Sequence, residues 1–175
     1  MEPLSLQEAR EHLSDPPEED NGQINSLITA GREEAEFVTG RALITQGISM
    51  SFDEFGAEML LPRPPLQSVT AVKYLDADGN QQTVNQSVYQ VGTNTTPGRI
   101  LLLPGQVWPE TMDIPGAITV EFVAGYGDDA DSVPEIIRQG IRLFLTKHYD
   151  LEQSDGAYLD DAIKSSFFRK KVVGV

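Results

Sequence analysis

The side chains that could do chemistry in this 175-residue chain are few. It holds two histidines, no cysteine, and 27 carboxylates against 13 Lys and Arg. His12 falls in a short acidic segment and reads as a solvated surface residue. His148 falls on an apolar helical stripe and reads as a packed or rim histidine. No HExxH or other His pair has zinc-ligand spacing. No Gly-rich loop ends in Lys-Ser/Thr, so no phosphate cradle is encoded. The serines lack a nucleophile-elbow context. Asp76-Ala-Asp-Gly-Asn80 has the look of a calcium loop, but an EF-hand needs Gly at position six and Glu at twelve. Here Gly79 is fourth and Ser87 is twelfth, so a hairpin turn is the better reading. Asp128, Asp129 and Asp131 precede a helix start, where the helix dipole favours acids without any metal. Paired carboxylates for glycoside hydrolysis are available by type, and nothing in their placement favours that chemistry.

These observations turn attention from catalysis to surface. Phe167-Phe168-Arg169-Lys170-Lys171-Val172-Val173 sets two aromatics and three cations beside two β-branched residues. Arg and aromatic side chains are favoured interface anchors. Two adjacent exposed Phe would be out of place in a frayed terminus, so this segment is the candidate partner-binding site. From Lys164 onward the chain carries Lys164, Arg169, Lys170 and Lys171 and no acid. Residues 1–36 carry ten acids against Arg10 and Arg32. That asymmetry suits a basic tail seeking an acidic partner.

The net charge of −14 argues against wrapping nucleic acid by counterion release. It is compatible with solubility alone, or with a wall along which DNA slides without sticking. With 39% hydrophobic residues the chain can build a core. No apolar run approaches the ~20 residues that span a bilayer. MEPLSLQEAR lacks a basic n-region followed by an apolar block, so no signal peptide is expected. The absence of cysteine excludes disulfides and thiolate metal sites and leaves the compartment open.

The stretch from Leu60 to Leu103 organises the remainder. Pro62, Pro64 and Pro65 exclude a helix there. Val69 to Leu75 suits a half-buried strand. Asp76 to Asn80 turns, and Gln81 to Val84 returns as a hairpin over 69–84. Pro97-Gly98 turns again before a strand at Ile100 to Leu103. Leu43 to Phe52 is a further strand, with a bulge at Gln46-Gly47. Ala117 to Val123 alternates and completes the sheet. Trp108, in the loop from Pro104 to Gly116, is expected to cap a small core.

Helices flank this module. Ser5-Leu-Gln-Glu8 is a capping box that opens a short helix to about Leu13. SDPPEEDN, residues 14–21, reads as an exposed acidic loop. Ile24, Leu27, Ile28, Gly31, Ala35 and Val38 share one face of a helix from about Gly22 to Thr39, with Gly40 as its left-handed cap. Ser132-Val-Pro-Glu135 is a second capping box, before a helix from Pro134 to about Asp150. Ile137, Ile141, Phe144, Leu145 and His148 form its stripe, widened by Ile136, Gly140 and Leu143. A face that broad implies burial against helix two and a further surface, another subunit being one candidate. Leu159, Ile163 and Phe167 recur at i, i+4, i+8 near the end. The expected fold is α+β: a small bundle of three main helices, an antiparallel β module inserted between helices two and three, and a C-terminal extension. In residues, this is one domain over 1–150 (helical core 5–40 and 133–150, β insertion 43–123) and an arm over 151–175.

The pieces SLQEAREHL, INSLITAGREEAEFVTGRALITQ, LLPRPPLQSVTAVKYLDADGNQQTV, PGRILLLPGQVWP, GAITVEFVAGYG and VPEIIRQGIRLFLTKHYD occur in that order. Together they resemble the head–tail connector (adaptor, or head-completion) family of tailed bacteriophages, prophages and gene transfer agents, over roughly residues 5–150. The resemblance implies a structural virion protein without catalysis or cofactor. It implies a ring, on the order of 12 copies, beneath the portal protein. The ring would extend the DNA channel without sequence-specific binding and offer its far side to a stopper or tail-completion protein. It would have no membrane partner, and it would be made in the bacterial cytoplasm and end in the virion neck. Within the family the C-terminal segment commonly reaches the portal, which here corresponds to Phe167 to Val175. Behind this reading stand a stopper or tail-completion module, expected to be β-dominated, and then a carboxylate-based hydrolase.

Overall fold

The computed structural model describes residues 1–149 and 156–172. The chain folds as two compact units, Met1–Ile44 together with the chain from Tyr126, and Thr45–Gly125.

The first unit is helical: α1 (Leu6–His12), α2 (Asn21–Thr39), α3 (Glu135–Tyr149) and α4 (Gly156–Phe168). The Ser5 hydroxyl accepts from the Glu8 N–H at 3.2 Å, and the Glu8 carboxylate accepts from the Ser5 N–H at 2.9 Å. Both bonds satisfy donors that the first turn of α1 leaves free. On α2 the predicted face is the buried one, and Gly40 ends the helix at φ 68°. Gly31 brings α2 close to α3, since a Cβ there would lie 3.1 Å from Ile141 Cγ2 and 3.2 Å from Phe144 Cδ1. The core joins Ile24, Ile28, Ala35 and Leu43 to Ile137, Ile141 and Leu145.

Two expectations are corrected in this unit. The bundle has four helices where three were expected, because Ile163 and Phe167 of α4 are buried in the same core, with Leu159 of α4 also buried. The further surface that α3 needed is therefore α4 of its own chain. No capping box forms at Ser132. Ala130–Ser132 makes a 3-10 turn, and Glu135 accepts instead from Arg138 and Arg142. A charge-assisted pair with guanidinium outweighs a bond to a neutral backbone N–H.

The second unit holds β1 (Gln46–Phe52), β2 (Glu58–Leu61), β3 (Leu66–Leu75), β4 (Gln81–Thr83), β5 (Tyr89–Gly92), β6 (Gly98–Leu102) and β7 (Ile118–Ala124). They form two antiparallel sheets in the orders β1-β7-β3-β4 and β2-β6-β5. Thus the β module is two sheets. Its last strand, β7, lies between β1 and β3, and its Ile118, Val120, Phe122 and Ala124 are all buried. The strand expected from Leu43 begins at Gln46, because Leu43 and Ile44 belong to the helical core. The bulge expected at Gln46-Gly47 is absent, and β1 pairs β7 without interruption. The register shifts lie on β3 instead, between Leu66 and Ser68 and between Val69 and Ala71. At the start of β6 a Cβ on Gly98 would sit 2.5 Å from Leu66 Cβ, so only glycine permits that approach. Trp108 caps a small core as expected. It stacks on Phe55 at 4.5 Å, lies 6.1 Å from Tyr89, and its indole N–H donates to Gly56 O at 3.0 Å.

Candidate functional site

The C-terminal segment is positioned by α4. Phe167 is fully buried, and a Cβ on Gly140 of α3 would lie 2.4 Å from its ring. Phe168, the next residue, is 54% exposed. The expected pair of exposed phenylalanines is therefore one core residue and one surface residue, since successive helical positions lie about 100° apart. Beyond α4 the chain turns. The Lys170 N–H donates to Phe167 O at 2.9 Å and the Lys171 N–H to Phe168 O at 3.2 Å.

The segment then hooks onto the end of α2. The Val172 N–H donates to Thr39 O at 2.9 Å, and Arg41 Nε donates to Lys170 O at 2.6 Å. The last turn of α2 contains no cation of its own. Arg41 follows the Gly40 cap directly, and Lys170 and Lys171 arrive from about 130 positions later in the sequence, at the negative end of the helix dipole. Arg169 and Lys171 remain exposed, with the Lys171 ammonium 5.2 Å from the Phe168 ring centroid. The outward groups of the predicted site are thus Phe168, Arg169 and Lys171, with Lys170 and Val172 half-buried. Val173 lies outside the described residues. A flat aromatic face flanked by cations suits an acidic protein surface.

Arg138 is a site that residue types alone did not mark. It is nearly buried on α3. Its Nε donates to Pro3 O at 3.1 Å, and its other nitrogens reach Glu8, Asp131 (3.0 Å) and Glu135 (3.3 Å). One guanidinium so ties the N-terminal strand of chain, α1 and the 3-10 turn to α3. Burial pushes Glu8 upward, but bonds from Ser5 and the charges of Arg138 and Arg142 outweigh it and hold Glu8 below the usual carboxylate range. Arg138 and Arg142 are spaced i, i+4 beside the apolar stripe, which marks a basic helix edge. Glu8 is legible in the sequence as a capping residue, but its pairing with Arg138, 130 positions away, carries no sequence signal.

The remaining candidates are structural. His12 is not the solvated residue expected. It is half-buried, with Nε2 2.8 Å from Thr146 Oγ1. Burial, with the charge of Arg142, holds its pKa below the ordinary histidine value. His148 stacks on Phe144 with centroids 4.0 Å apart, and its Nδ1 lies 2.8 Å from Phe144 O. Asp76 organises its turn. Oδ1 accepts from the backbone N–H of Asp78 and Asn80, and Oδ2 accepts from Gln82 at 2.9 Å. Asp131 is engaged by Arg138. Among the described residues no group of His and carboxylates is arranged to hold a metal ion, and no helix is long and apolar enough to cross a membrane.

No protein-family model and no curated protein matches the chain. Solved structures do. A chain from the neck of an empty gene transfer agent particle, computed with C6 symmetry, superposes with a TM-score of 0.82 at 23% identity, covering 98% of this chain and 91% of that one. A chain from the neck of the native particle, computed with C12 symmetry, gives 0.78 at 24% identity over 97% and 89%. One from the virion of the native particle gives 0.78 at 24% over 98% and 91%. Both units of this chain, in their order, therefore share the fold of gene transfer agent neck chains.

Proposed function

We propose that the chain is a structural head–tail connector of a tailed phage or phage-like particle. It forms a ring beneath the portal protein, extends the DNA channel and joins the head to the tail. The observation that carries this reading is a fold likeness spanning 98% of the chain to neck components of a gene transfer agent. Because such necks are computed with C6 and C12 symmetry, a closed ring of copies is the natural assembly. Packing between subunits does the work, with no catalysis and no cofactor. The net charge of −14 then lines a passage that repels phosphates and lets DNA slide. The far side of the ring receives a stopper or tail-completion protein. Four helices favour an adaptor over a stopper, for which a β-dominated chain was expected.

In this reading Phe168, Arg169 and Lys171 meet acidic groups of the portal, and Phe167 holds the helix that presents them. Deleting everything after Gly156 would also remove Leu159, Ile163 and Phe167 from the core. Charge reversal of the exposed cations is the cleaner probe. The protein is mixed with the portal of its own particle and imaged by negative stain, as wild type and as Arg169→Glu/Lys171→Glu. A ring that caps the portal with wild type and is lost with the variant supports both the connector role and the docking site. Rings with both versions leave the role and remove the site. No ring with either removes the role.

A further inference from the structure

The four-stranded sheet ends on one long uncharged edge and one short uncharged edge, and each could extend the other. Among the described residues, β1 pairs only β7 and β4 pairs only β3 in the sheet. Among the described residues, no further backbone hydrogen bond reaches Gly47–Phe52 or Gln81–Thr83. An exposed edge is normally blunted by lysine, proline, a bulge or extreme shortness. The seven residues of β1, QGISMSF, have no charge and no proline, and their pairing with β7 is unbroken. Ile48, Met50 and Phe52 remain half-exposed on the core-facing side, where one more strand would cover them. β4, QQT, is guarded by its shortness alone: it is uncharged and all three of its residues are exposed. In a chain of net charge −14, two uncharged strips are where copies can approach with least repulsion. The outer edge of β2, by contrast, carries Glu58, paired with Arg99 at 2.7 Å.

Strand direction completes the case. All three pairings in the sheet are antiparallel, so β1 and β4 run in opposite directions. A neighbour placed head to tail would meet β1 with its β4 already antiparallel. The contact uses two different strips of one chain, as a closed ring requires and a two-fold dimer does not. We propose that β1 of each copy pairs with β4 of the next, so that the sheets continue from subunit to subunit. This rests on the ring reading above. A three-residue ladder has an affinity on the order of millimolar by itself. It therefore closes a ring only where another surface raises the local concentration.

The absence of cysteine makes the test direct. The pairing Ser51–Thr119–Lys73–Thr83 puts Ser51 and Thr83 on the same face of the sheet, with Ser49 two residues along. Ser51→Cys/Thr83→Cys and Ser49→Cys/Thr83→Cys cover two registers, and each single variant is a control. Ser49→Cys/Gln90→Cys reports pairing with β5, the free edge of the other sheet. Rings assembled on the portal are oxidised and run on a non-reducing gel. A ladder of linked subunits from either β1–β4 variant, with the single variants unlinked, is the expected result. Rings that form without this ladder, or that link through single variants or through Gln90→Cys, overturn the edge pairing and leave the connector role intact. Failure of wild type to form rings on the portal overturns both.

Discussion

Arg138 is the residue on which the helical unit most depends. It is nearly buried, and its partners come from three other parts of the chain. Removing Arg138 leaves the carbonyl of buried Pro3 without its donor, while the carboxylate partners remain in contact with solvent. Arg138→Ala should lower unfolding stability by about 1–3 kcal/mol in urea titration. Asp131→Asn should change it little, because Asp131 is largely exposed. His12 supplies a pH response. Its pKa in the folded chain lies below the unfolded value of 6.5, so the unfolded chain binds the proton more readily in the window between the two. Stability is therefore complete above that unfolded value and falls as the pH drops below it. His12→Gln, which can keep the Thr146 contact, should flatten this part of the profile in urea midpoints measured between about pH 7.5 and pH 5. Glu8 acts in the same direction at lower pH. Its depressed pKa gives stability that is present above the unfolded value of 4.5 and lost as the pH falls through the folded one.

At the scale of elements, the decisive contact is α3 against α4. Gly140 accepts the Phe167 ring at a distance that leaves no room for a methyl group. Gly140→Ala would raise helix propensity on α3 by up to about 1 kcal/mol, yet it would displace a core aromatic. Overpacking of this kind costs about 1–3 kcal/mol, so the net effect should be a loss. Thermal melts and protection of α4 amides in hydrogen exchange would both report it, α4 opening first. Because α4 carries the hook onto α2, loosening it also releases Phe168, Arg169 and Lys171 from their fixed positions. The presentation of the proposed docking groups is therefore a property of helix packing.

At the scale of the whole molecule, charge is the governing quantity. A net charge of −14 opposes assembly of identical copies in free solution. The basic groups at the end of α4 are a local exception, and a portal that meets them with acids gains most at low ionic strength. Wild-type binding to the portal should weaken from 50 mM to 500 mM salt, followed by co-sedimentation. Arg169→Glu/Lys171→Glu should be weaker throughout and much less sensitive to salt.

Much of the architecture was legible in the residues themselves. The face of α2, its Gly40 cap, the Ser5 box, the hairpin at Asp76 to Asn80 and the alternation on β7 are all local patterns of period 3.6 or 2, or turn chemistry at fixed offsets. Backbone sterics and side-chain direction set them over a few residues, so sequence alone determined them. Tertiary structure decided what pairs over long distances. It placed β7 between β1 and β3, split the β module into two sheets, and took Ile44 out of the strand and into the helical core. It recruited Arg138 to Glu8, and it buried Phe167 while leaving Phe168 outside. Apart from the i, i+4, i+8 spacing that marks Phe167, none of these has a local signature, because each depends on which apolar surface is near enough to be covered and which charge is near enough to be paired once the chain has closed on itself.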